Sequence, residues 1–121
     1  MIRRAAFLLA FVCGPAAAQT QVELTSRAAD ALTAAEVRMK GVYDGLAVKY
    51  GDDSRERLEK AQDAWEQYRD RQCVFENKGT EGGTIHQMLL YKCLKSQTDR
   101  RIAELRRQEN CEEGDLSCVR D

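Results

Sequence analysis

Residues 58–93 read LEKAQDAWEQYRDRQCVFENKGTEGGTIHQMLLYKC, and the fold follows from how that run is punctuated. Its first half places Leu58, Ala61, Trp65, Tyr68 and Cys73 at steps of three to five, the spacing of one helix face. Gln62 and Gln72 border that face. Glu59, Lys60, Asp63, Glu66 and Asp70 lie opposite it and read as solvated surface. Glycines at 79, 82 and 83 interrupt the pattern before Ile85, Leu89 and Cys93 resume it at four-residue steps. Two cysteines therefore sit on two helices joined by one short connection, which makes those helices antiparallel neighbours. Joining Cys73 to Cys93 would tie them across Gly79–Gly83, a gain of roughly 3 kcal/mol that comes mainly from restricting the unfolded chain.

Upstream, Leu24, Ala28, Leu32, Ala35, Met39, Val42, Leu46 and Tyr50 recur at steps of three and four. They predict a first helix from about Val22 to Tyr50, closed by Gly51 in the left-handed C′ conformation. Asp52, Asp53 and Ser54 offer N-cap oxygens for the second helix, and Asp53 with Glu56 has capping-box spacing. Thr84 with Gln87 gives the same signal for a third helix, running to about Gln108 and burying Ile85, Leu89, Cys93, Ile102 and Leu105. The polar middle of that helix, Lys95 to Arg101, must find partners or water. The sole proline is Pro15, and no segment beyond it alternates in the manner of a strand. The expected fold is all-α: a small antiparallel three-helix bundle stapled by disulfides.

The cysteines sit at unequal depths in their helices. The second helix should extend four residues past Cys73, about 6 Å, and the third should begin nine before Cys93, about 13 Å. Residues 84–88 and the loop before them are thus expected to overhang as a projecting knob.

The first residues belong to targeting. Arg3 and Arg4, an apolar run from Ala5 to Cys13 and Ala16-Ala17-Ala18 read as a signal peptide cleaved after Ala18. The apolar run is far short of the roughly 20 residues that span a bilayer, so no transmembrane helix is expected. Cys13 offers lipid attachment as a rival route, although Ala10-Phe11-Val12 matches such a site poorly. Residues 19–109 then form the helical domain and residues 110–121 an irregular acidic tail. Losing Arg3 and Arg4 takes the formal charge from −1 to −3. That balance is too mild and too interspersed for a nucleic-acid binder, and suits a weak preference for basic partners. Four cysteines remain after cleavage, Cys73, Cys93, Cys111 and Cys118, which allow three connectivities and point to a periplasmic or secreted protein. Cys111 and Cys118 can close a small loop. Their spacings lack the close pairs of a zinc site, so no metal is expected.

Few residues suggest chemistry. His86 in the overhang could titrate near neutrality or enter a partner's cleft, although a plain surface histidine explains it as well. No nucleophile accompanies it in a triad arrangement, and Glu76 with Glu81 reads as helix-end solvation rather than a glycosidase pair. Gly82-Gly83 before Thr84 lacks a phosphate-loop lysine and reads as a tight turn. Neither an enzymatic role nor a cofactor is read from the chain. Trp65 and Tyr68 are expected in the core, and Arg69 and Arg101 in structural pairing, with Glu76 as one candidate partner. Glu81, Thr84, His86 and Gln87 are the candidate partner-binding residues.

The run Gln62-x-x-Trp65-x-x-Tyr68-Arg69-Asp70-x-x-Cys73 resembles the signature of the lysozyme inhibitor LprI-like family. The resemblance continues through Glu76, Gly82-Gly83, Cys93, Thr98, Arg101 and Leu105, with Ala35-Glu36 and Tyr43 upstream, and covers about residues 24–106. Met39-Lys40 stands where the family has Leu-Asn, Ala28-Ala29 where it often has a cysteine, and the tail with Cys111 and Cys118 is additional. The resemblance implies a small helical exported domain whose partner is a protein, lysozyme by the family's named activity. Its shared residues look like core, staple and turn positions, which transmit fold better than function. A periplasmic scaffold or immunity-type protein is the alternative reading.

Overall fold

The computed structural model describes residues 20–121, so the expected signal peptide, Cys13 and the cleavage point before Gln19 lie outside the described residues. Three helices run in order, α1 (Gln21–Ala47), α2 (Asp52–Glu76) and α3 (His86–Glu109), with a single 3-10 turn at Lys78–Thr80 between the last two. No strand occurs among the described residues. The helices form the expected antiparallel bundle, with α1 and α3 the most closely packed pair. Small side chains allow that approach, since Ala28 and Ala35 are buried on α1 beside Leu32. Below them Met39, Leu46, Ile102 and Leu105 make the core, with Val42, Tyr43, Tyr50, Leu58 and Trp65 packed against it.

Both disulfides are present, Cys73–Cys93 and Cys111–Cys118, with Cα separations of 5.7 and 5.8 Å. The first joins α2 to α3 and its Cys73 is fully buried.

Helix ends depart from the sequence reading in four places. At the start of α1, the Thr20 hydroxyl accepts from the Glu23 N–H (3.2 Å) while the Thr20 N–H donates to the Glu23 carboxylate (3.0 Å), a capping box that lies before the first apolar repeat. At its other end α1 stops at Ala47, and Gly51 is not a left-handed C′ residue; its φ of −65° makes it the extended N-cap of α2. Arg55 instead reaches back to the Ala47 and Tyr50 carbonyls at 3.3 and 2.9 Å. No Asp53–Glu56 box forms, because Asp53 is held by Arg57 at 2.7 Å and Glu56 by Lys60 at 2.5 Å. The acceptor at the α2 N-terminus comes from the tail: the Asp121 carboxylate takes the Gly51 N–H and the Ser54 hydroxyl. Thr84 does not cap α3, which begins at His86 after Ile85 with no side-chain cap. The Gly83 and Ile85 carbonyls engage its first N–H groups instead.

The inner face of α2 is also rotated from the expected one. Tyr68 is 55% exposed and Ala61 is exposed, whereas Gln62 is 7% exposed and the Arg69 side chain 11%. The face turned inward is Leu58, Gln62, Trp65, Arg69 and Cys73, still at helical spacing but polar at two positions. Partners from the other helices make this stable. The Arg69 and Arg101 guanidiniums lie 5.3 and 5.8 Å from the Trp65 ring centre. Arg69 donates to Glu36 of α1 (3.0 Å), to Thr98 of α3 (3.4 Å) and to Asp70 (2.8 Å). Arg101 donates to Gln62 (3.0 Å) and Glu104 (3.0 Å), and Gln62 turns its amide toward the Met39 sulfur at 3.6 Å. The polar middle of α3 thus goes inside, with Gln97 and Thr98 buried. Ile85, expected in the core, is 43% exposed.

Three measurements probe these features. Replacing Cys73 and Cys93 by serine should remove roughly 3 kcal/mol and lower the melting temperature by about 15 °C, followed by circular dichroism. Trp65→Ala should cost about 3 kcal/mol in urea denaturation, the low end of the range for large aromatics because the ring is only partly buried. Hydrogen bonds from Ser54 and Gly51 hold the Asp121 carboxyl below its ordinary value. A lowered folded-state pKa contributes stability that is present above the unfolded value and lost as pH falls through the folded one. Asp121→Asn should therefore melt below wild type at neutral pH, with the gap closing as acidification protonates the Asp121 carboxyl below its ordinary range.

Candidate functional site

The motif residues and the partner-binding candidates fall in different places. Gln62, Trp65, Arg69, Thr98, Arg101 and Leu105 form the interior just described, with Asp70 anchoring Arg69 from the surface. Glu76 is exposed, accepts from Gln72 at 2.8 Å, and is not the partner of either arginine. Tyr68 faces outward along α2.

The connection between α2 and α3 is heavily bonded within itself. Asn77, 8% exposed, donates from its side chain to the Cys73 carbonyl at 2.8 Å. The Thr80 hydroxyl shares hydrogen bonds with the Asn77 carbonyl (2.9 Å) and His86 Nδ1 (2.9 Å), and the Gly83 N–H reaches the Thr80 carbonyl at 2.9 Å. Gly82 has a φ of 78°, a conformation that other residues adopt only with strain. Lys78 pairs with Glu81 at 2.7 Å and holds that carboxyl below its usual range. Glu81, Thr84 and Gln87 are exposed, whereas His86 is half-buried and tied to Thr80. The sequence picture of His86 as a free surface group gives way to a histidine that braces the loop. α3 still begins seven residues before Cys93 while α2 ends three after Cys73. The 3-10 turn lies in the connection across that offset, and Thr84, Ile85 and Gln87 beyond it are exposed. The first turns of α1 flank it: Thr84 and Tyr91 share a shallow hollow of about 580 Å³ with Gln21, Val22, Thr25 and Ala29. Val22 and Ile85 are exposed at this end, where the sequence reading had placed only polar candidates.

A second concavity, about 420 Å³, opens between α1 and α2. Met39 and Tyr43 lie at its base, and Glu36, Asp44, Glu59, Asp63 and Glu66 line it together with Lys40 and Arg69. Burial, then the negative charges of Glu59, Asp63 and Asp44, push the Tyr43 phenol above its ordinary pKa. Read along α2 alone, these carboxylates were a solvated face; only the packing of α1 beside them makes a groove.

Among the described residues no group of His, Cys, Asp or Glu side chains is arranged to hold a metal ion. No helix there is long and apolar enough to cross a membrane.

Comparison with known proteins places these features in a family. An uncharacterized protein of Rhizobium meliloti (strain 1021) is 45% identical over 51 residues, which is 42% of this chain and 37% of that protein. The match thus spans little more than a third of the relative's length. No solved structure matches the chain. The family model described as "Lysozyme inhibitor LprI" matches residues 13–105, a span that takes in α1, α2, the braced loop and most of α3. The chain belongs to the LprI lysozyme-inhibitor family.

Proposed function

We propose that this protein acts in the periplasm or outside the cell as an inhibitor of lysozyme-type muramidases, working by contact and not by catalysis. The observation that carries the reading is membership of a family described by that activity. The geometry suits it. A segment that occludes a cleft loses least on binding when it is already ordered. The loop between α2 and α3 meets that requirement, pinned by the Cys73–Cys93 bridge, by buried Asn77 and by the Thr80–His86 hydrogen bond. Glu81, Thr84 and Gln87 are the contact residues in this reading, with His86 positioning the turn beneath them. Two disulfides fit an oxidising compartment, and a net negative charge favours encounter with a basic enzyme.

The protein from residue 19 onward, in micromolar excess over a basic lysozyme, should slow the clearing of a cell-wall suspension. Unchanged kinetics together with no detectable binding would defeat the proposal. Thr84→Arg combined with Gln87→Arg should weaken inhibition by about tenfold or more while leaving the melt unchanged, since both side chains are exposed. Raising the salt toward about 0.5 M should weaken a charge-steered encounter and spare an apolar one.

A further inference from the structure

The groove between α1 and α2 carries a charge that the fold does not use. Five carboxylates against two cations give it a formal −3, as much as residues 20–121 carry in total, so the remaining described surface is neutral in sum. Both cations are already engaged, Lys40 with Asp44 at 2.6 Å and Arg69 with Glu36 at 3.0 Å. Among the described residues, Glu59 and Asp63 make no salt bridge. They stand four apart on one helix, an arrangement of like charges that opposes helix formation. Glu66 follows one turn on and, among the described residues, receives only the Gln62 amide, at 3.3 Å. Beneath these acids lie a buried thioether, Met39, and a half-buried aromatic ring, Tyr43.

An apolar, aromatic base under unpaired acidic walls is complementary to one kind of side chain: a long apolar stem ending in a cation. Lysine and arginine bury their methylenes in this way while the head stays at the rim, and a tyrosine ring adds attraction for the cation. We propose that the α1–α2 groove is the docking site for a lysine or arginine side chain on the surface of a basic protein partner, its stem over Met39 and Tyr43 and its head among Glu59, Asp63 and Glu66. The groove is centred roughly 25 Å along α1 from the residues that flank the braced loop, at about 1.5 Å per residue. A partner touching both must span that distance. Naming lysozyme as that partner rests on the inhibitor reading; the groove's preference for a cationic side chain does not.

The test uses the chain from residue 19 onward, wild type and Glu59→Gln/Asp63→Asn, with two probes. Titration with an octalysine peptide, followed by NMR, should shift Met39, Tyr43 and Gln62 in the wild type and leave them unmoved in the double variant. No shifts, shifts elsewhere, or shifts that persist in the variant overturn the groove. A basic lysozyme should bind the variant about tenfold more weakly than wild type and with a shallower salt dependence. Equal affinity for both proteins overturns the groove as a contact while leaving inhibition intact. Octalysine in the groove with no lysozyme binding sinks the muramidase reading and keeps the groove for another basic protein. The variant's melting temperature should equal or exceed that of wild type, because the substitutions relieve repulsion, and this separates lost docking from lost folding.

Discussion

Two guanidiniums inside a small bundle constrain everything around them. An arginine removed from water is costly unless its donors are matched, and here the acceptors must arrive from other helices. Arg69 of α2 needs Glu36 of α1 and Thr98 of α3; Arg101 of α3 needs Gln62 of α2. Each of these contacts joins two helices, and together they form only when all three are in register, so the polar interior acts as a check on the packing. Trp65, with a guanidinium near its ring from each of two helices, fills the space between α2 and its neighbours. An all-aliphatic seam would tolerate sliding by a turn, and this one does not.

That interior explains what could be read from the sequence and what could not. The three helices, their antiparallel order and the pairing of Cys73 with Cys93 follow from spacing and from the glycines between them. Each of these depends on residues close together in the chain. The inward face of α2 does not. Hydropathy assigns Tyr68 to the core and Gln62 to its border, because no local signal reveals that Thr98 and Arg101 inside, and Glu36 at the edge, are the polar partners of this face. Gly51 misled for a related reason: a glycine after an apolar stripe looks like a helix end, yet Arg55 already supplied the donors that α1 required. The Thr20–Glu23 box has the spacing of a helix start, but it lies ahead of the apolar repeat that marks α1.

The surface features divide in the same way. The loop around Gly82 was visible as a turn, but its rigidity comes from Asn77, Thr80 and His86, whose roles emerge only once the 3-10 turn is formed. The acidic groove was hidden more thoroughly. Glu59, Asp63 and Glu66 on one helix read as an ordinary wet face, and nothing in the chain pattern sets Glu36 and Asp44 of α1 opposite them. Apposition of the two helices turns two unremarkable faces into a concentrated field over Met39 and Tyr43.

The covalent bridge across the glycine-bearing turn has one more consequence. That turn is the most accessible backbone between α2 and α3, and small exposed residues such as Gly79, Gly82 and Gly83 are where proteases cut most readily. A single nick there would separate the chain in sequence but not in space, because Cys73 and Cys93 lie on either side of it. The two fragments would migrate as one species until a reductant is added.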